Sequence, residues 1–269
     1  MRNLLKTDLK RILKDKLFMV ASIIAVAFAL LGPILYKVLF SALDLDGMLG
    51  TLVDAKTLFF NSFMPGDNFG LVLPILILIV LCKDFNGGTI RNKIISGKTR
   101  CSIFLSMFIS SAVIMCAVML AHAILTLLFS LVFFDFSSDP FTFKTFLFML
   151  LSVFFEMLVY VFVAALASFL CTSMKNTGLS IVMYIAISFV LALFGGIISA
   201  AFSFANPENK AVYGVLEFLS STNIFTSTLI GSGSSYSLKE IIYILLPSVI
   251  GSALLVLFGI LIFKKKDLK

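Results

Sequence analysis

Six long apolar runs dominate the chain and leave it few ways to fold. A helix of about 20 apolar residues crosses the hydrocarbon core of a bilayer. Runs of that length lie at about 17–40, 58–81, 103–134, 146–171, 179–204 and 241–263. Of the 269 residues 60% are apolar and only 13% are charged, and a water-soluble fold of this size could not hide so much apolar surface. The expected fold is an all-α polytopic membrane protein, a single domain over 1–269 with six transmembrane helices. No polar stretch is long enough to build a separate ectodomain. The second run is the weakest: Pro65-Gly66-Asp67 interrupts it, Pro74 lies within it, and only 69–81 is unbroken. Its outer end is therefore expected to be broken or re-entrant. Gly32-Pro33 predicts a kink in the first run.

Charge placement orients the spans, because Lys and Arg of short loops collect on the cytoplasmic side. With the N-terminus inside, sixteen of the 21 Lys and Arg fall in cytoplasmic segments, and only Lys37, Lys56, Lys144, Lys210 and Lys239 fall outside. Both termini are then cytoplasmic, which requires an even number of spans. The net charge of +7 thus reflects membrane placement, and no nucleic-acid partner is expected. The first run exceeds the usual signal-peptide core and no A-x-A-like site follows it, so it is expected to stay as an uncleaved helix. Cys82, Cys101, Cys116 and Cys171 form no CxxC pair and are expected to be buried or reduced thiols.

Three segments carry candidate chemistry. In 1–16, Leu4, Leu5, Leu9, Ile12, Leu13 and Leu17 fall on one side of a helix, with Lys6, Asp8, Lys10, Arg11 and Lys14 elsewhere. Such a helix is expected to lie in the inner headgroup layer against membrane lipids, with Leu5, Leu9, Ile12 and Leu13 as its apolar side. A solvated extension of the first span is the alternative. The connection 82–100 opens with an Asn-Gly-Gly turn. Thr89 is expected to cap a short helix over 90–95 whose apolar side carries Ile90, Ile94 and Ile95, and Gly97 to end it. A short charged helix beneath two spans suits a lever for another protein, and a merely positive loop is the alternative. Within the spans, Glu156 and His122 are the intramembrane polar candidates, each costly to bury without a role. A Glu156–His122 pair is one expectation, on their similar depth.

Other chemistries find no support. Gly97-Lys98-Thr99 imitates the end of a P-loop, but Asn92 stands where the first glycine is needed. There is no HExxH, no G-x-S-x-G, and no cluster of His, Cys and carboxylates suited to a metal. The chain is not expected to be an enzyme, and Gly231-Ser232-Gly233-Ser234-Ser235 reads as a flexible outer turn. In the outer loop 205–239, the stretch 216–230 either dips into the bilayer or stays outside it.

Asp84-Phe85, Gly88-Thr89-Ile90-Arg91-Asn92 and Gly97-x-x-Arg100, following the second span, resemble the membrane subunits of ABC-2-type transporters. Asp84 stands where members of that family usually have Glu. Leu216-Glu217-Phe218-Leu219 leading to Asn223-Ile224-Phe225 looks like the family's partly embedded segment, and the six-span layout agrees. The resemblance implies a permease subunit of an ATP-driven exporter in the bacterial cytoplasmic membrane, working as a homo- or heterodimer with a second permease chain. A separate ABC ATPase subunit would hold ATP and Mg, and this chain would bind no cofactor itself. Asp84, Phe85, Gly88, Thr89, Ile90, Arg91, Asn92, Gly97 and Arg100 would form the ATPase-coupling segment. The cargo would be hydrophobic or amphipathic, such as a peptide, bacteriocin or antibiotic. Rival readings are an ion-coupled secondary transporter using Glu156, and a membrane assembly protein without transport.

Overall fold

The computed structural model describes residues 2–43, 53–66, 68–137, 141–174, 176–206, 209–225, 230 and 235–266, and every regular element among them is helical. Six helices are long and apolar enough to cross a membrane. They are α2 (Lys16–Ala42), α4 (Asn68–Asn86), α6 (Arg100–Phe133), α7 (Phe143–Ser173), α8 (Thr177–Phe204) and a composite last span. The last is built from α10 (Leu238–Leu245), a π-helical turn (Leu246–Gly251) and α11 (Ser252–Lys265). Four shorter helices complete the described residues: α1 (Arg2–Lys14), α3 (Ala55–Asn61), α5 (Thr89–Ile95) and α9 (Lys210–Thr222). The protein is a multi-pass membrane protein.

Local chemistry sets the boundaries. Side chains of Asp15, Asp54, Thr99, Thr142, Asn176 and Asn209 each accept a backbone N–H in the first turn of the helix that follows. Ser237 and Glu240 close a capping box on α10. α6 has 34 residues and so rises about 51 Å, longer than the roughly 30 Å hydrocarbon core requires.

Span two is broken at its N-terminal end, as Pro65-Gly66-Asp67 predicts, and its C-terminal end runs further than 81. The chain forms α3, turns at 62–66, and starts again as α4, which continues past 81 to Asn86. Pro65 offers no N–H to a continuing helix. α3 is instead fixed from outside: Ala55 and Lys56 donate backbone N–H groups to Asp135 O and Phe136 O, both at 3.0 Å. Phe59 stacks edge-on with Phe60 and Phe63. In contrast, α2 runs as one helix through Gly32-Pro33, with Ala21, Ala25, Ala29 and Pro33 on its buried face.

α4 is the most enclosed span and α8 the least. Leu73, Ile77, Leu78 and Leu81 of α4 pack with Phe104, Met107 and Met115 of α6 and Tyr160, Val163 and Ala164 of α7. Small hydroxyl residues let the spans approach, as where Ser111 and Ser168 meet at 3.3 Å. Large side chains such as Ile23, Val132, Phe189 and Leu257 face outward and, in a membrane, contact lipid. Cys82 of α4 and Cys171 of α7 are buried free thiols with sulfurs 3.1 Å apart. Treatment with copper phenanthroline is expected to oxidise this pair to a disulfide, read as a linked peptide by mass spectrometry. A linkage of either thiol to Cys101 or Cys116 instead would contradict the packing of α4 on α7.

The loop 205–239 holds a helix that periodicity at sequence level missed. α9 lies along α8, with Phe202 and Tyr213 rings 4.8 Å apart. Just past its end, Asn223 Nδ2 donates to Leu191 O at 2.8 Å. Leu191 is halfway along α8, so the part of 216–230 that is described descends to the middle of a span. Residues 231–234 of the Gly-Ser run lie outside the described residues.

Candidate functional site: a junction beneath the second span

The last turn of α4 sends four consecutive side chains to four different elements. Lys83 Nζ pairs with Asp15, the cap of α2, at 2.9 Å. Asp84 pairs with Arg11 of α1. Phe85 meets Phe263 of α11 edge-on, with ring centroids 5.9 Å apart. Asn86 Nδ2 donates to Thr177 Oγ1, at the start of α8, at 3.0 Å. Side chains on a helix leave in directions about 100° apart, so a single turn reaches the whole end of the bundle.

The chain ends are tied into the same place. Arg100 Nη1 donates to the carbonyls of Phe263, Lys264 and Lys266 at 3.2, 2.9 and 2.6 Å. Lys266 Nζ in turn donates to Thr172 O and Met174 O at the C-terminus of α7 and lies 5.1 Å from the Phe85 ring. Cations at helix C-termini complement both the open carbonyls and the dipole. Arg100→Met is expected to cost about 2 kcal/mol in thermal unfolding, against about zero for a methionine at the exposed Lys98. Burial outweighs the neighbouring charges at Lys266 and holds its ammonium below the usual range.

α1 is an amphipathic helix packed against the bundle. It turns Leu4, Asp8 and Ile12 into the protein, all 7% exposed or less, against α6. Asp8 accepts from Lys93 Nζ of α5 at 2.6 Å and from Ser106 Oγ of α6 at 2.7 Å. The expected apolar side is therefore rotated: Leu5 and Leu9 are half-buried and Leu13 is 54% exposed, available to lipid. Asp8 and Arg11, which the pattern placed off the apolar side, turn toward the protein because their partners are Lys93 and Asp84. Lys93 Nζ also stands 3.8 Å from Asp84 Oδ2, an oxygen that accepts no hydrogen bond. Desolvation pulls Arg11 and Lys93 below their ordinary pKa ranges, against the carboxylates that raise them. At Asp15, burial alone would raise the pKa, but the Leu17 N–H and Lys83 bring it below the usual range. The stability it adds is thus present above the ordinary carboxylate range and is lost on acidification through it.

α5 is set by its two ends. Gly88, at φ 70°, precedes it as the cap without a side-chain bond, and Thr89 is the first helical residue rather than the cap. Gly97 stops it at φ 81°. Its N–H donates to Ile94 O and that of Lys98 to Lys93 O, the paired bonds of a Schellman motif that needs a left-handed residue. Ile90 is buried and Ile94 half-buried, whereas Ile95 is 75% exposed and so is not on the inner side. The outward face of α5 is Arg91, Asn92 and Ile95.

The predicted coupling residues thus divide. Asp84, Phe85, Ile90 and Arg100 are engaged within the chain, Gly88, Thr89 and Gly97 shape the helix, and Arg91 and Asn92 face outward. Asp8, Arg11 and Lys93 were missed as a group. The signal available was a set of oppositely charged residues flanking two apolar segments.

Glu156 and His122 are not a pair. His122 Nδ1 bonds Ala25 O of α2 at 2.9 Å and lines a cavity with Pro33 and Asn61, whereas Glu156 lines another with Pro65 and Pro247. No group of three or more His, Cys, Asp or Glu that could hold a metal occurs among the described residues.

No curated protein and no solved structure matches the chain. Residues 56–269 match the family model described as a protein of unknown function, DUF2705. The match takes in the α4 junction, α5 and five of the six spans, and the chain belongs to the DUF2705 family.

Proposed function

We propose that this chain is the permease subunit of an ATP-driven ABC-2-type exporter, seated in the bacterial cytoplasmic membrane with both termini and α5 on the cytoplasmic side. One observation carries the reading. A short helix, stopped at both ends by left-handed glycines, offers Arg91, Asn92 and Ile95 outward while the turn before it grips four other elements. That is the shape of a part that receives force. A separate ABC ATPase subunit, holding ATP and Mg, would press on this face. Lys93–Asp8 and Asp84–Arg11 would carry the displacement to α1, and the last turn of α4 would carry it to α2, α8 and α11. Asp84, Phe85 and Arg100 then position the coupling helix and do not touch the ATPase. A second permease chain completes the pathway, and the cargo is hydrophobic or amphipathic.

The test is purification of the tagged full-length chain from its native membrane in mild detergent. An ABC ATPase subunit identified by mass, together with Mg-dependent ATP hydrolysis, is the expected result. Arg91→Glu reverses the one charge on the outward face of α5 and is expected to lower the copurified hydrolysis at least about tenfold. Lys210→Glu, an exposed reversal at the start of α9, should leave it unchanged. Wild-type protein without an ATPase, or equal hydrolysis in both variants, would overturn the proposal.

A further inference from the structure

Glu156 lies near the middle of α7, is 5% exposed, and has no hydrogen bond or ion pair among the described residues. An intramembrane carboxyl without a partner is costly. It lines a cavity of about 20 Å³, room for one water-sized occupant.

Three interruptions of helical bonding meet at that cavity. Met64 and Pro65 come from the turn between α3 and α4, Thr222 and Asn223 from the end of α9, and Pro247 and Ser248 from the π-helical turn of the last span. Neither proline has an N–H to offer. Three of the other polar side chains have already committed protons, and the Ser221 and Tyr243 hydroxyls that also line the cavity make no hydrogen bond to the carboxyl. Thr222 Oγ1 donates to Phe218 O at 2.7 Å, Ser248 Oγ to Ile244 O at 2.8 Å, and Asn223 Nδ2 to Leu191 O at 2.8 Å. What the Thr222 and Ser248 hydroxyls have left is lone pairs. An ionised carboxyl among oxygen acceptors calls for a positive occupant, and the described residues supply none. Lys239, the cation of α10, pairs with Glu217 of α9 at 2.6 Å, and Glu240 is used in the capping box. Lys144 of α7 and Lys210 of α9 lie at the far starts of their helices, about 18 Å away along α7 by helical rise.

We propose that this cavity is a binding site for one compact monocation, an alkali metal ion or the ammonium tip of a primary amine, held by Glu156 and the hydroxyl oxygens of Thr222 and Ser248. One carboxylate balances one positive charge, whereas a divalent ion would leave net charge in the membrane interior. An ammonium is of the water-like size that the cavity holds. Interrupted helices with free oxygen acceptors are a setting in which membrane proteins bind such ions. The occupant would join the α3–α4 turn, α9 and the last span. The site does not depend on ATP as the energy source and stands or falls separately from the coupling role of α5.

The experiment uses full-length protein in lipid nanodiscs, with thermal unfolding followed at constant ionic strength. NaCl, KCl or methylammonium chloride replaces choline chloride, whose cation is too large to enter. A saturable rise in Tm with at least one small cation, and none with choline, is expected. In Glu156→Gln the apparent affinity for that cation should fall at least tenfold, and in Ser248→Ala a few-fold. A response to Na⁺ or K⁺ alone identifies an inorganic ion, and a response to methylammonium alone identifies an amine on the cargo. Equal responses to choline and every small cation, or undiminished affinity in both variants, would overturn the proposal.

Discussion

Asp8→Ala is expected to destabilise the folded chain by about 3–5 kcal/mol, the usual cost of removing one partner from a buried ion pair. Asp8 is 1% exposed and accepts from both Lys93 and Ser106. Its loss leaves the Lys93 ammonium, itself only 10% exposed, with Asp84 at 3.8 Å as its remaining counter-charge. Because Arg11 and Lys93 are already depressed in pKa by burial, the four-charge cluster has little slack. Replacing both partners should be far milder. Asp8→Ala with Lys93→Met is expected to regain most of the loss, since apolar substitutes of similar volume avoid the stranded charge. Asp15→Ala gives the scale for an ordinary site. It removes a helix cap and an ion pair to a half-exposed Lys83, worth about 1–2 kcal/mol together. Unfolding in mixed micelles reads all four proteins. If Asp8→Ala costs no more than Asp15→Ala, the cluster is not a buried unit.

The same cluster shows where sequence pattern stops being informative. Spacing of Leu4, Leu5, Leu9, Ile12 and Leu13 showed that α1 is amphipathic, and it is. Which edge of the apolar stripe meets protein is decided by Asp8 and Arg11, whose partners lie about eighty positions away. Pattern treats a charge as outward because an isolated charge must be solvated; it has no term for one matched across the fold. Asp84 and Arg100 were legible as important residues for a different reason, their place in the resemblance to ABC-2-type permeases, and their contacts show them holding the junction together internally.

The spans themselves were legible to within a few residues, because apolar length is dictated by the bilayer and not by tertiary contacts. The breaks were less so. Pro65-Gly66 marked one of them. Pro247 marked another, since a proline within an apolar run interrupts the hydrogen-bond ladder, but the sixth run was taken as continuous over 241–263. α9 escaped because the loop 205–239 was read for its placement and not for helical periodicity. Its descent beside α8 rests on the Phe202–Tyr213 ring contact and on Asn223 reaching a carbonyl in mid-span, neither of which spacing reveals. These three features surround Glu156, so the acid could be singled out from sequence while its setting could not.

Gly70→Ala is the substitution expected to damage that setting most. A Cβ at position 70 would lie 2.1 Å from Met64 O and 2.9 Å from Tyr160 Oη. The first contact is backbone, so no rotamer change relieves it, and the turn at 62–66 must retreat by about an ångström from α4. That movement pulls Phe63 O away from Tyr160 Oη, which donates to it at 2.8 Å. Overpacking costs about 1–3 kcal/mol and a lost buried hydrogen bond about 1–3 more. A combined loss of about 3–5 kcal/mol is expected in thermal unfolding, with a reduced yield of folded protein. Gly196→Ala in α8 is the matched control. Nothing lies within 4 Å of its added Cβ, and a helical glycine replaced by alanine should be neutral or gain up to about 1 kcal/mol. Tyr160→Phe separates the two causes: it abolishes the hydrogen bond without touching the carbonyl, so alone it should cost about 1–2 kcal/mol. Added to Gly70→Ala it should restore little, because the Met64 carbonyl still collides with the new methyl. Were Gly70→Ala to behave like Gly196→Ala, the turn would not be pressed on α4, and the wall it gives to the Glu156 cavity would have to lie elsewhere.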